Sequence, residues 1–306
     1  MSTLRPARGF TLVELMIAML LGLIIVGVVL GIFLEMLQGY RANNSVGDVQ
    51  TSSRLAFELL AHDIRHAGLT GCNNDGRVTD IRPSAGRTDW NDALRGYTQG
   101  MTVPGLAGLN QVAGTDSIQL MEAADTAMSV KRHTPAAGRF EIDGPIPLRD
   151  QGVVIVCDPD HAAILQVAKA GATLSYDDPA LNCGMNLAFP THCDGGHEYT
   201  FGPNAQMAPL YAAHWYIGAN PANGTSLYRL TPDAGAQEMV RNVTDLRLRY
   251  LPSDASSFVP ANLVTDWPAV TAVQISLTLQ SGSGATSAPP LTRATTATVA
   301  LYNRVN

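Results

Sequence analysis

Charge is scarce in this chain. Only 15% of its 306 residues are Asp, Glu, Lys or Arg, against roughly 25% in a typical soluble domain. Global disorder needs high charge and few apolar residues, and a chain that is 46% hydrophobic has neither. Basic residues do not outnumber acidic ones: the formal charge is −6, whereas a general nucleic-acid binder would carry a basic field. Four cysteines are too few for a disulfide scaffold and enough for two staples. The G-x-S-x-G, H-E-x-x-H and G-x-x-x-x-G-K-[ST] signatures are missing, which removes the common hydrolase, zincin and nucleotide-loop chemistries. The expectation is a protein without catalysis, cofactor or resident metal. Its length suits one β-rich domain plus an appendage, and its apolar excess gathers near the N-terminus.

The chain opens MSTLRPARG, with Arg5 and Arg8 and no acid, and turns apolar at Phe10. Twenty residues without a charge separate Glu14 from Glu35. At about 1.5 Å per helical residue they reach roughly 30 Å, the hydrocarbon thickness of a bilayer. The run is too long for a secretory signal, and Gly31-Ile32-Phe33-Leu34 offers no A-x-A-like cleavage site. One reading is an uncleaved single-span anchor with Arg5 and Arg8 on the cytoplasmic side. Glu14 favours another. A carboxylate at mid-membrane costs about 3 kcal/mol on insertion scales and less near an interface, so it calls for a partner. A cut after Gly9 would free an α-amine on Phe10, one helical turn from Glu14. The amine of a neighbouring copy could then pair with Glu14 and set the axial register of packed helices, because a charge pair in lipid is stronger than one in water.

The heptapeptide Gly9-Phe10-Thr11-Leu12-Val13-Glu14-Leu15 resembles the class III signal of type IV prepilins and pseudopilins: a short basic leader, Gly before the cut, Phe after it, and Glu as the fifth mature residue. The resemblance implies a prepilin peptidase that cuts after Gly9 and methylates the Phe10 amine. Removing nine residues, two of them arginine, leaves 297 and moves the formal charge from −6 to −8. Gly27 and Gly31 form a G-x-x-x-G that either lets helices approach closely or reflects the frequency of glycine in membrane helices.

Beyond Leu37 the pattern turns polar and then amphipathic. Val49, Ala56, Leu59, Leu60, Ile64 and Ala67 recur near a 3.6-residue period, interleaved with Arg54, Glu58, Asp63 and Arg65. Gly68 and Gly71 supply stop signals. Gly39, Asn43, Asn44 and Gly47 have poor helix propensity and predict a bend or local melt in a helix over 10–67. Residues 69–115 read as loop. Strands are predicted over 117–121, 153–157, 163–167, 211–217, 226–230, 246–251, 273–280 and 298–302, with alternation in Leu246-Arg247-Leu248-Arg249-Tyr250 marking one solvated sheet face. The expected fold is α+β: a long N-terminal helix, half membrane-spanning and half amphipathic, packed on an antiparallel sheet domain. The expected boundaries are a leader at 1–9, a transmembrane assembly helix at 10–37, its amphipathic continuation at 38–68, and a periplasmic β-rich domain at 69–306.

Segments of that domain resemble PilW-type minor pilins. Leu227-Tyr228-Arg229, Gln237-Glu238-Met239-Val240 and Val243-Thr244-Asp245-Leu246-Arg247-Leu248-Arg249-Tyr250 are similar to their LYR … QELV … VxDLxxxY run. The stretch from Cys157 to Val167, the stretch Arg65-His66-Ala67-Gly68-Leu69-Thr70-Gly71-Cys72 and the closing Val299-Ala300-Leu301-Tyr302-Asn303-Arg304 are also similar. Leu165 and Tyr302 depart from the Phe and Arg usual there. The resemblance implies a minor pilin of the inner membrane and then the pilus surface. Its partners would be other minor pilins, the major pilin and a possible tip adhesin. A large domain suits a tip or rare position. A type II secretion minor pseudopilin is the nearest alternative. A second is a DNA-capturing pilin using Arg229, Arg241, Arg247, Arg249, Arg293 and Arg304, although no nucleic-acid partner is expected.

The cysteines allow three pairings. Cys183 with Cys193, closing a short loop, and Cys72 with Cys157, tying the helix end to a strand, is the favoured one. Cys183, His192, Cys193 and His197 include zinc-ligand types, but at no common finger spacing. Asp158, Asp160 and His161 form either an acid/base or metal cluster or an Asp-Pro turn. Asp75, Asp177, Asp178 and Asp194 lack calcium-loop spacing.

Overall fold

The computed structural model describes residues 11–72, 77–83, 89–99, 101, 103, 110–145, 148–171, 173–191, 193, 198–281 and 290–304. The chain divides into two units, Met1–Thr51 with Ser281–Leu291, and Ser52–Gln280 with Thr292–Asn306. Helix α1, Leu12–His66, runs without interruption. In the first unit its Leu12–Leu37 segment is long and apolar enough to cross a membrane, and none of it is buried within the chain. The local melt predicted around Gly39–Gly47 is absent, and the helix continues through it. Each interior glycine costs only about 1 kcal/mol, and cooperative propagation from helix on both sides outweighs that. The helix stops where Gly68 and Gly71 take φ of 80° and 92°.

In the second unit the last turns of α1 bury Ser53, Ala56, Leu60, Ala61, Asp63, Ile64 and Ala67. Among the described residues fourteen strands follow: β1 Val78–Asp80, β2 Leu94–Tyr97, β3 Ser117–Ala123, β4 Met128–Thr134, β5 Arg139–Asp143, β6 Gly152–Cys157, β7 Ala162–Ala170, β8 Thr173–Ser175, β9 Gln206–Ala219, β10 Thr225–Thr231, β11 Gly235–Arg241, β12 Val243–Pro252, β13 Val270–Gln280 and β14 Thr292–Ala300. Each of the eight predicted strands overlaps one of these. The segment read as loop over 69–115 contains β1 and β2, both too short to show a period. All pairings are antiparallel except that of β1 with β7, so the α+β architecture holds.

Strands β4, β5, β8, β7, β6 and β9 pair in a closed ring, with β9 bonded to both β6 and β4. Closure removes exposed edges. Alternate residues fill the ring interior, among them Val130, Phe140, Val154, Val156, Leu165, Val167, Leu174 and Met207. The opposite residues, Ile155, Cys157, Ala162, Ile164 and Ala208, pack outside it with Trp90 and Met121. Beyond Pro209 the long β9 leaves the ring and runs between β3 and β10. A second sheet orders β12–β13–β14. There Leu246, Leu248 and Tyr250 are buried and Arg247 and Arg249 exposed, as the alternation predicts.

Candidate functional site

Gly9 and Phe10 lie outside the described residues. The next residue, Thr11, caps α1. The Glu14 N–H donates to Thr11 Oγ1 at 3.3 Å, while Glu14 Oε2 lies 3.5 Å from both the N–H and the hydroxyl of Thr11. This reciprocal arrangement is a capping box at Thr-x-x-Glu spacing. Within one chain Glu14 therefore serves its own helix, at the end where the macrodipole favours an anion. Its carboxylate is turned back toward the residue that follows Phe10. Farther along, a Cβ added at Gly27 or Gly31, one turn apart, would meet nothing within 4 Å among the described residues.

In the second unit, a polar group holds the end of α1 on its sheet. Asp63 is 5% exposed, although the sequence pattern set it among the solvent-side polar residues. Its Oδ2 accepts from Trp215 Nε1 at 2.9 Å and lies 3.3 Å from Arg229 Nε. The Arg229 guanidinium stands 4.9 Å from the Tyr211 ring centre and 5.7 Å from that of Trp215. Glu122 lies near this group, 3.7 Å from His66 Nδ1. Burial first, then the charges of Asp63 and Asp125, push its carboxyl up to about 8 against the pull of Arg229. The signal for Asp63 was its position: it stands three residues after Leu60 and four before Ala67, on the buried stripe.

The C-terminal segment locks the same helix end. Tyr302 N–H donates to Arg65 C=O at 3.1 Å, and Asn303 Nδ2 donates to Gly68 C=O at 2.9 Å. Arg304 donates to the carbonyls of Trp267 and Val270, and burial lowers its guanidinium to about 10.

The structure joins Cys72 to Cys157 and Cys183 to Cys193, with Cα–Cα distances of 5.9 and 5.1 Å. The zinc alternative thereby loses both sulfur ligands; His192 and His197 lie outside the described residues. Asp158, Asp160 and His161 form the β6–β7 turn. Asp158 Oδ1 accepts from the N–H groups of Asp160 and His161, and its Oδ2 from the Tyr199 hydroxyl. His161 is buried, with Nδ1 on Asp160 and Nε2 on the Leu187 carbonyl. These bonds serve the turn, which is the structural reading. Asp178 likewise closes a local turn onto Ala180 N–H, and Asp75 and Asp194 lie outside the described residues.

The six arginines do not assemble into a stripe. Arg229 is tied to Asp63, Arg241 to Glu238, Arg247 to Asp245, and Arg304 to carbonyls. Arg249 faces Gln274 in register and Arg293 faces Leu279, which puts these two on opposite faces of their sheet.

Among known proteins, residues 4–30 match the family model of the prokaryotic N-terminal methylation motif. No curated protein and no solved structure matches the chain.

Proposed function

We propose that this is a type IV pilin-like structural protein, processed by a prepilin peptidase and anchored in the inner membrane, and specifically a PilW-like minor pilin; the methylation motif and the apolar helix it opens support the reading. In this reading the peptidase cuts after Gly9 and methylates Phe10, and the β-rich domain faces the periplasm. The mature chain joins other minor pilins in the complex that starts a type IV pilus. It is then carried on the pilus, supporting twitching motility and adhesion, with the major pilin and a tip adhesin as further partners.

The observation that carries the reading is Glu14, a carboxylate at the start of an exposed apolar helical segment whose next 20 residues carry no charge, held toward the helix N-terminus by Thr11. In a bundle of such helices the α-amine of a neighbour compensates it, which sets the register of assembly. The closed barrel added to the sheet supports a rare or tip position, since so large a domain would crowd a filament made of it throughout. The same N-terminal motif is shared with secretion pseudopilins, which makes a type II secretion minor pseudopilin the second reading.

The test is surface pilin, sheared and quantified, from a clean deletion strain and its complemented derivatives. Loss of pili restored by the wild-type gene and not by Glu14→Ala is the expected result. Unchanged pili with impaired protein secretion would transfer the assignment to the secretion machine.

A further inference from the structure

Strand β14 leaves one edge of its sheet open, and its register identifies the groups on that edge. Leu301 N–H donates to Thr271 C=O across the β13–β14 pair at 3.0 Å, and on the other side of β13 Gln280 N–H donates to Asn242 C=O. Bonded and non-bonded residues alternate along an antiparallel ladder. Arg293, Thr295, Ala297 and Val299 therefore bond to β13. Thr292, Ala294, Thr296, Thr298 and Ala300 turn their N–H and C=O groups away from it. All five are exposed, and among the described residues no backbone group meets them.

Natural edges are blunted by shortness, charge, proline or bulges. Strands β1 and β2 are short at three and four residues. Strand β11 faces a register shift at Leu227/Tyr228 and carries Glu238 and Arg241. Strand β14 has none of these guards: nine residues in unbroken register, without proline or lysine, with Arg293 as its sole charge. Ser53 Oγ donates to Thr295 Oγ1 at 3.1 Å, which pins the strand beside α1.

We propose that β14 is a docking edge that accepts an extended strand from a neighbouring pilin-like subunit. This rests on the assembly reading above, in which subunits pack through their N-terminal helices. In such an assembly each neighbouring subunit brings a sheet domain of its own, whose extended strands match the unpaired backbone groups of this edge. Backbone bonds supply the affinity of strand addition and side chains the selectivity. The edge calls for a strand uncharged along most of its length, with one carboxylate toward Arg293, which has no ion-pair partner among the described residues.

The test places a photo-reactive benzoylphenylalanine at Thr298 of the full-length protein in its own cells. Thr296 is varied to Pro, which removes an outward N–H, or to Val, which keeps it. Irradiation is expected to join this chain to a different pilin-like subunit. Thr296→Val preserves that adduct, and Thr296→Pro lowers its yield about tenfold or more while the melting temperature stays near that of the parent. If Thr296→Pro lowers the melt, Ala294→Lys takes its place, since it charges the edge and keeps every ladder bond. An adduct that survives both variants, an adduct only with a second copy of this chain, or no adduct overturns the proposal. Glu14→Ala leaves β14 intact and separates the two ideas. Pili that persist in that variant sink the assembly reading, whereas pili that need Glu14 without any β14 adduct sink strand docking alone.

Discussion

Trp215 and Asp63 are 152 residues apart in sequence, and the indole Nε1–H donates to the Asp63 carboxylate at 2.9 Å. The bond fastens the end of α1 to the middle of β9. Arg229 shares the same oxygen, so truncating Asp63 leaves an indole N–H and a half-buried guanidinium without their acceptor. Asp63→Ala is expected to cost about 3–5 kcal/mol, read as urea unfolding of the full chain in detergent. Asp63→Asn keeps an acceptor for Trp215 and should cost clearly less. Equal losses in the two variants would mean the charge on Asp63, rather than its hydrogen bond, holds the helix.

Glu122 makes that same region sensitive to alkali. Burial holds His133 and His214 down near 4, against an ordinary value of 6.5, so these two add stability as pH rises from about 4 to 6.5. Glu122 acts in the opposite direction. The folded chain keeps its proton up to about 8 while the unfolded chain releases it near 4.5, so stability falls across that interval and then levels. Between 6.5 and 8 the histidine contribution is complete and Glu122 dominates. The expected fall there is at most about 1.4 kcal/mol per pH unit. Melting temperatures of the full chain at pH 6.5 and 8 check this: the drop should vanish in Glu122→Gln, and a drop that remains points to another group.

The sequence carried the helix, its apolar half and its stop at Gly68 in plain view, because a period of 3.6 and a glycine at positive φ are local properties. Strand β13 was visible over 273–280 through its alternating Val273, Ile275, Leu277 and Leu279, and β9 only in its aromatic half, 211–217. The ring closure was not. It depends on β9 bonding β6 on one side and β4 on the other, a pairing no local pattern encodes. Strands β4 and β5 escaped because Lys131, Arg132, Arg139 and Glu141 interrupt their apolar residues. At the N-terminus the methylation motif over 4–30 was legible, whereas the capping of α1 by Thr11 and Glu14 was not. Asp63 was misplaced because its acidity outweighed its position on the buried stripe.

Gly96 and Tyr250 form a matched pair. A Cβ at position 96 would overlap the Tyr250 hydroxyl and ring edge. Tyr250 is fully buried, packed edge-on against Trp267 with ring centres 4.9 Å apart. Overpacking at such a site costs about 1–3 kcal/mol or more, so Gly96→Ala should lower the unfolding midpoint markedly. Tyr250→Phe should not, since the Tyr250 hydroxyl has no hydrogen-bond partner among the described residues and its burial is uncompensated. A large loss in Tyr250→Phe would reveal a bound water on that hydroxyl.

The two disulfides should differ in what they contribute. Cys72 and Cys157 are 85 residues apart and close a long loop, tying the segment after α1 to the outer face of the barrel. Cys183 and Cys193 are ten apart and close a short one. Loop entropy alone gives about 4.6 kcal/mol for the first and about 2.8 kcal/mol for the second. The paired serine variant Cys72→Ser/Cys157→Ser should therefore unfold at clearly lower denaturant than Cys183→Ser/Cys193→Ser. Protease nicking should separate them as well. Loss of the long-range staple frees the junction between helix and barrel, so cleavage is expected among residues 69–77. Loss of the short staple should confine it to residues 183–198. Cleavage at the same site in both variants would mean that neither disulfide governs the local stability of the segment it closes.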